Sequence, residues 1–152
     1  MTRSEEVIYL ARKFLFVREV GGPNKGIWVE GIQKLAGGVA GESWCCYFVS
    51  VVLALAFGGF TKSPIGRTGV CQDVYALAKK NGWLRDRPVQ IGDMFLYVDA
   101  NDHAHHIGLV CDDAPLIGIA GNTSEDGSKS NGDGVYEHGI SAHTFVHWPR
   151  GE

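Results

Sequence analysis

Trp44-Cys45-Cys46-Tyr47-Phe48-Val49-Ser50-Val51-Val52-Leu53-Ala54-Leu55-Ala56-Phe57 is apolar almost all round and runs into Gly58-Gly59. A helical segment without a polar face is buried rather than laid on a surface. Ser43, a favoured N-cap type, is expected to start it. The run is too short to cross a bilayer, so no membrane insertion is expected. A buried helix needs cover on several sides, and the flanking sequence supplies it.

Upstream, Val7, Ile8, Leu10, Ala11, Phe14, Leu15 and Val17 recur at helical spacing behind Thr2 or Ser4, which predicts an amphipathic helix over 4–18. Gly21-Gly22-Pro23-Asn24-Lys25-Gly26 has loop chemistry, and Trp28 to Leu35 reads as a short helix stopped by Gly37-Gly38. Val70 to Lys80 predicts a fourth helix, ended by Asn81-Gly82. The pattern then changes. Gly92-Asp93 is a turn, and Met94–Val98, Ile107–Cys111, Leu116–Ala120, Val135–His138 and Phe145–Trp148 read as short strands. Helices first and strands second predict an α+β fold, with N-terminal helices packed on a small antiparallel β-sheet and residues 1–152 as one domain.

The composition is globular: 45% of residues are hydrophobic and 20% charged, which excludes a wholly disordered chain. Fourteen Lys and Arg against seventeen Asp and Glu give a net charge of −3. No basic field exists to collect nucleic acid or anionic lipid. The start, Met1-Thr2-Arg3-Ser4-Glu5-Glu6, is acidic and lacks the apolar run of a secretory signal. The protein is therefore expected to be made in the cytoplasm. The four cysteines form no Cys-x-x-Cys pair, so a zinc ribbon is not expected, and a chain of this size can build a core without disulfides.

Cys45 falls in the first turn of the buried helix. The thiolate is the nucleophilic form of cysteine, and the positive end of a helix dipole favours the anion. A neighbouring imidazolium would favour it further, making Cys45 the expected most reactive thiol near neutral pH. Cysteine is equally a common small core residue. Cys46 is a rival, because one position rotates a side chain by about 100° and only one of the two can face a shared site. The uniform apolarity of the helix does not choose between them. Cys71 and Cys111 read as core.

His103, His105 and His106 lie just before Ile107-Gly108-Leu109-Val110. An imidazole at the start of a strand can accept a thiol proton and return it to a leaving amine. His106 abuts the strand, and Gly108 would let a neighbour approach closely. Two other readings stand beside this one: Asp102 with the three histidines as a metal site, and a plain polar loop. Asn122, in Gly121-Asn122-Thr123, is a candidate to orient the imidazole through its second nitrogen, although Gly-Asn alone is also a turn. Residues 126–133 superficially resemble a calcium loop. Asn131 occupies the position that requires glycine, and the segment reads as a hairpin loop.

Taken in order along the chain, these segments resemble the CHAP family, the cysteine- and histidine-dependent amidohydrolases and peptidases. Gly41-Glu42-Ser43-Trp44-Cys45-Cys46-Tyr47-Phe48-Val49 is similar to that family's Gly-x-x-Trp-Cys-Ala-x-Phe-Val block, and Glu19 to Gly26 to a glycine–asparagine loop that precedes it in one branch. Gly92-Asp93, then His106-Ile107-Gly108-Leu109-Val110, then Gly121-Asn122-Thr123 with Gly134-Val135-Tyr136 look like its later blocks. The resemblance covers roughly residues 19–148.

It implies a papain-like fold with Cys45 as nucleophile, His106 as general base and Asn122 as the orienting group. Glu19, Asn24 and Trp44 would lie on the substrate side. The implied reaction is acyl transfer through a thioester on bacterial peptidoglycan or another peptide substrate, with no metal and no cofactor. A wall role would need release by lysis or a dedicated secretion route. Two departures stand out: Ala120 replaces a glutamate that many members carry two residues before the asparagine, and Cys46 replaces an alanine. A catalytically inactive binding module on the same fold, and a metal-dependent amidase, are the alternative functions.

Overall fold

The computed structural model describes residues 1–86, 88–124 and 132–151. The buried helix forms as α3, Cys45–Phe57, and every residue from Cys45 to Ala54 is buried. Gly58 ends it in the left-handed conformation, with φ of 81°. Around it lie α1 (Arg3–Arg12), α2 (Ile27–Leu35) and α4 (Cys71–Asn81). The chain then enters an antiparallel sheet of β1 (Leu84–Arg85), β2 (Met94–Val98), β3 (Ala104–Asp113), β4 (Leu116–Thr123), β5 (Gly134–Gly139) and β6 (Thr144–Val146), in spatial order β1-β6-β2-β3-β4-β5. This is the α+β arrangement expected from helices followed by strands.

α3 packs against α1 and α2 on one side and against β3 and β4 on the other. Ile107, Leu109, Cys111 and Ile119 face this helical core, while Phe95, Val110, Ala120, Ala142 and Phe145 form a second cluster. Strand alternation explains the split, since neighbouring residues point to opposite faces. One close approach places the helix. A Cβ at Gly121 would sit 2.7 Å from the Trp44 ring and 2.9 Å from the Phe48 Cβ, so only glycine lets α3 settle on β4 at this point. Among the described residues, no helix is long and apolar enough to cross a membrane.

Several boundaries differ from expectation. α1 ends at Arg12 rather than 18, because the chain beyond it joins the sheet edge: Val135 N–H donates to the Val17 carbonyl (3.1 Å), and Arg18 bridges to Gly134. Tertiary pairing here overrides helical periodicity. Thr2 and Glu5 form the reciprocal cap at its start. Ser43 does not cap α3; Trp44 holds that position and makes no side-chain capping bond. β3 starts at Ala104, three residues ahead of the expected Ile107, so His106 lies inside the strand. β1 is only two residues long, too short to show a period. The calcium-like segment lies mostly outside the described residues.

The Gly92-Asp93 turn is an internal tie. Asp93 is fully buried and accepts from Arg150 Nη2 at 2.6 Å and from the Gln90 N–H at 2.9 Å; His147 Nδ1 lies 2.8 Å away. Trp148 donates its indole N–H to the Gly92 carbonyl (2.7 Å). The C-terminal segment is thereby fastened to the start of β2, on which the sheet's central pairing depends.

Candidate active site

Cys45 begins α3 and is 5% exposed. His106 comes from β3 and is 2% exposed. The sheet brings its imidazole near enough to the Cys45 thiol to act on it electrostatically, lowering its pKa. Cys71, read from sequence as core, begins α4, and its sulfur lies 3.7 Å from that of Cys45. Cys46 has its sulfur 3.7 Å from the Thr68 carbonyl and also neighbours Cys71. Of the two adjacent cysteines, whose order the apolar helix left open, Cys45 is the one on which His106 acts.

The electrostatics run against a resting thiolate. Contact with the Cys71 thiol and burial hold the Cys45 pKa well above the ordinary thiol range, and His106 opposes them without prevailing. Cys71 is also raised: contact with Cys45 lowers it, but the Cys46 thiol and burial outweigh that. The helix start was expected to favour the thiolate; the Cys71 contact and burial act in the opposite direction. Cys45 therefore rests as a neutral thiol that needs a base at the moment of attack. Its alkylation by iodoacetamide should keep accelerating as pH rises through neutrality into the alkaline range. Peptide-mapped alkylation rates check this; a plateau reached below pH 6 would mark a preformed thiolate.

His106 is oriented by ring packing. It lies opposite Tyr97 in the β2–β3 register, and the two rings are 5.8 Å apart and inclined by 27°. Phe95 lies 6.2 Å away. Among the described residues, His106 Nε2 is buried and has no hydrogen-bond partner. Ala120, buried in the cluster that contains Phe95, contributes no acceptor to this shell. Replacing Tyr97 by Leu should lower kcat by about tenfold on a positioning argument, while Tyr97→Phe keeps the ring and most of the rate. Kinetics of the two variants on one substrate check this.

Asn122 does not bond to His106. It lies where the β4–β5 register shifts, with φ of 52°, and donates from Nδ2 to the Ser43 hydroxyl at 2.8 Å. It thereby holds the entry to α3, two residues ahead of the thiol. Glu19 and Trp44 bond each other, indole N–H to Oε2 at 2.9 Å. Trp44 is fully buried, so its ring is part of the frame and offers no face to a ligand. Asn24 donates to the Gly41 carbonyl (3.2 Å). Gln33, a lone polar residue on the buried face of α2, gave no clear signal in the sequence. Its amide donates to the carbonyls of Asn24 (3.1 Å) and Glu42 (2.6 Å), joining the two segments that lead to Cys45.

The histidine cluster is dispersed. His103 and His105 are exposed, and Asp102 is engaged by Lys79 and Tyr75. Among the described residues, no group of three or more His, Cys, Asp or Glu side chains is arranged to hold a metal. The first-turn N–H groups of α3 have no partner one turn back, so the Cys45 N–H is a donor beside the sulfur. Thiol, imidazole and backbone donor together can carry out nucleophilic attack with proton transfer. No protein-family model matches this chain, and no curated protein matches it, so the functional reading rests on these residues and their geometry.

Proposed function

We propose that this protein is a cysteine-dependent hydrolase of amide or peptide bonds, of the CHAP type, acting on bacterial peptidoglycan. The observation that carries the reading is the meeting of Cys45, from a helix start, with His106, from a sheet strand. In this reading His106 takes the Cys45 proton as the sulfur attacks the carbonyl carbon. The Cys45 N–H stabilises the oxyanion, the proton passes to the leaving amine, and water then releases the thioester. The substrate class rests on the ordered likeness of the sequence blocks. Digestion of purified sacculi followed by mass spectrometry of the released muropeptides tests it. New amino termini within the stem peptide identify an endopeptidase, and freed stem peptides an amidase. Intact sacculi refute the reading.

One observation favours a second reading, a binding module on the same scaffold. His106 lacks a partner for Nε2 among the described residues, and Ala120 stands at the position where many members of the resembled family carry a glutamate. Retention on sacculi without any muropeptide release would select that reading.

A further inference from the structure

α3 and α4 both begin with a cysteine, and their N-termini converge. Cys45 and Cys71 are free thiols with sulfurs 3.7 Å apart. A disulfide requires a separation of about 2.0 Å, so closure needs a sulfur displacement of less than about 2 Å. His106 lies near the Cys45 thiol and acts to lower its pKa. Cys111, by contrast, is bonded to Glu137 (3.2 Å). Cys46 also neighbours Cys71, but its own sulfur faces the Thr68 carbonyl.

We propose that Cys45 and Cys71 are a redox-active dithiol, closed by hydrogen peroxide or a small alkyl hydroperoxide into a disulfide that caps the nucleophile. As His106 takes the thiol proton, the Cys45 sulfur attacks one peroxide oxygen and the O–O bond breaks. The leaving hydroxide takes up that proton as water, and Cys45 is left as the sulfenic acid. The Cys71 sulfur then attacks the Cys45 sulfur. The S–S bond forms, the S–O bond breaks, and the departing hydroxide leaves as water with the Cys71 proton. Two thiols lose two electrons to one peroxide, giving one disulfide and two waters, or one water and one alcohol when an alkyl hydroperoxide loses its alkoxide in the first step. Cys71 thereby diverts the sulfenic acid from irreversible over-oxidation, and an added dithiol restores both thiols. The loss of hydrolysis that this entails rests on the hydrolase reading; the bond itself does not.

The test treats the reduced full-length protein with equimolar hydrogen peroxide and follows intact mass, non-reducing peptide maps and iodoacetamide labelling, with hydrolysis of sacculi as a separate readout. The expected mass change is a loss of about 2 Da, one disulfide's worth of hydrogen. Labelling of Cys45 should fall at least tenfold and return with dithiothreitol. Because Cys45 and Cys46 share a peptide, the maps are repeated on Cys46→Ala, which should still cross-link to Cys71, and on Cys45→Ala, which should not. Cys71→Ser, with Cys71→Ala as a second variant in case the first misfolds, should instead gain one oxygen without cross-linking, and under excess peroxide pass to the sulfinic acid, which dithiothreitol does not restore. A 46–71 link, or a wild-type protein that gains oxygen without cross-linking, overturns the proposal. If the reduced protein never cleaves sacculi, the hydrolase reading fails, while mass and mapping still decide the disulfide.

Discussion

Cys45→Ala should abolish hydrolysis of sacculi, with a loss of about a thousandfold or more in rate, whereas Cys46→Ala should keep most of it. The two side chains are adjacent in sequence but a third of a helical turn apart. Cys45 faces His106 and Cys71, and Cys46 faces the Thr68 carbonyl. Removing the Cys45 sulfur removes the atom that would form the thioester and the thiol on which His106 acts. A thousandfold loss corresponds to about 4 kcal/mol of activation energy. Removing the fully buried Cys46 sulfur leaves a small cavity and costs stability of roughly 1–2 kcal/mol, without touching the reacting atoms. Initial rates of muropeptide release, read beside thermal melts, separate the two effects. An inactive Cys46→Ala with an active Cys45→Ala would transfer the nucleophile by one residue.

The second large effect is on stability. Asp93→Ala should cost about 3–5 kcal/mol, because it strands a buried guanidinium. Arg150 is almost wholly enclosed and donates to Asp93 at 2.6 Å, and the Gln90 N–H also loses its acceptor. The double variant Asp93→Ala with Arg150→Met should recover part of the loss, since neither charge then remains buried alone. Urea midpoints with unchanged slopes measure both. A single-variant cost below about 1 kcal/mol would show that solvent reaches this guanidinium.

The helix-then-strand order was legible because α3 carries an unbroken apolar run and the strands that follow are short and bounded by turns. The position of Cys45 was legible from the helix start, and that of His106 from its place against the Ile107-Gly108-Leu109-Val110 segment. Partners across space were not. Nothing near Cys71 signals that α4 begins beside α3, and it read as core. Asn122 was assigned to the imidazole by its residue type. The irregular register of β4 turns its amide to Ser43 instead, and a single sequence carries no record of that shift. The thiol's raised pKa was hidden for the same reason, since desolvation is a property of the assembled core.

Gln33 ties together the two stretches of backbone that precede α3, at Asn24 and at Glu42. Because one amide nitrogen serves both carbonyls, a shift of either stretch leaves a buried donor or acceptor short of a partner. Gln33→Ala should therefore loosen the chain on both sides of the turn that opens α3, and faster amide hydrogen exchange around residues 24–26 and 41–43 would register it.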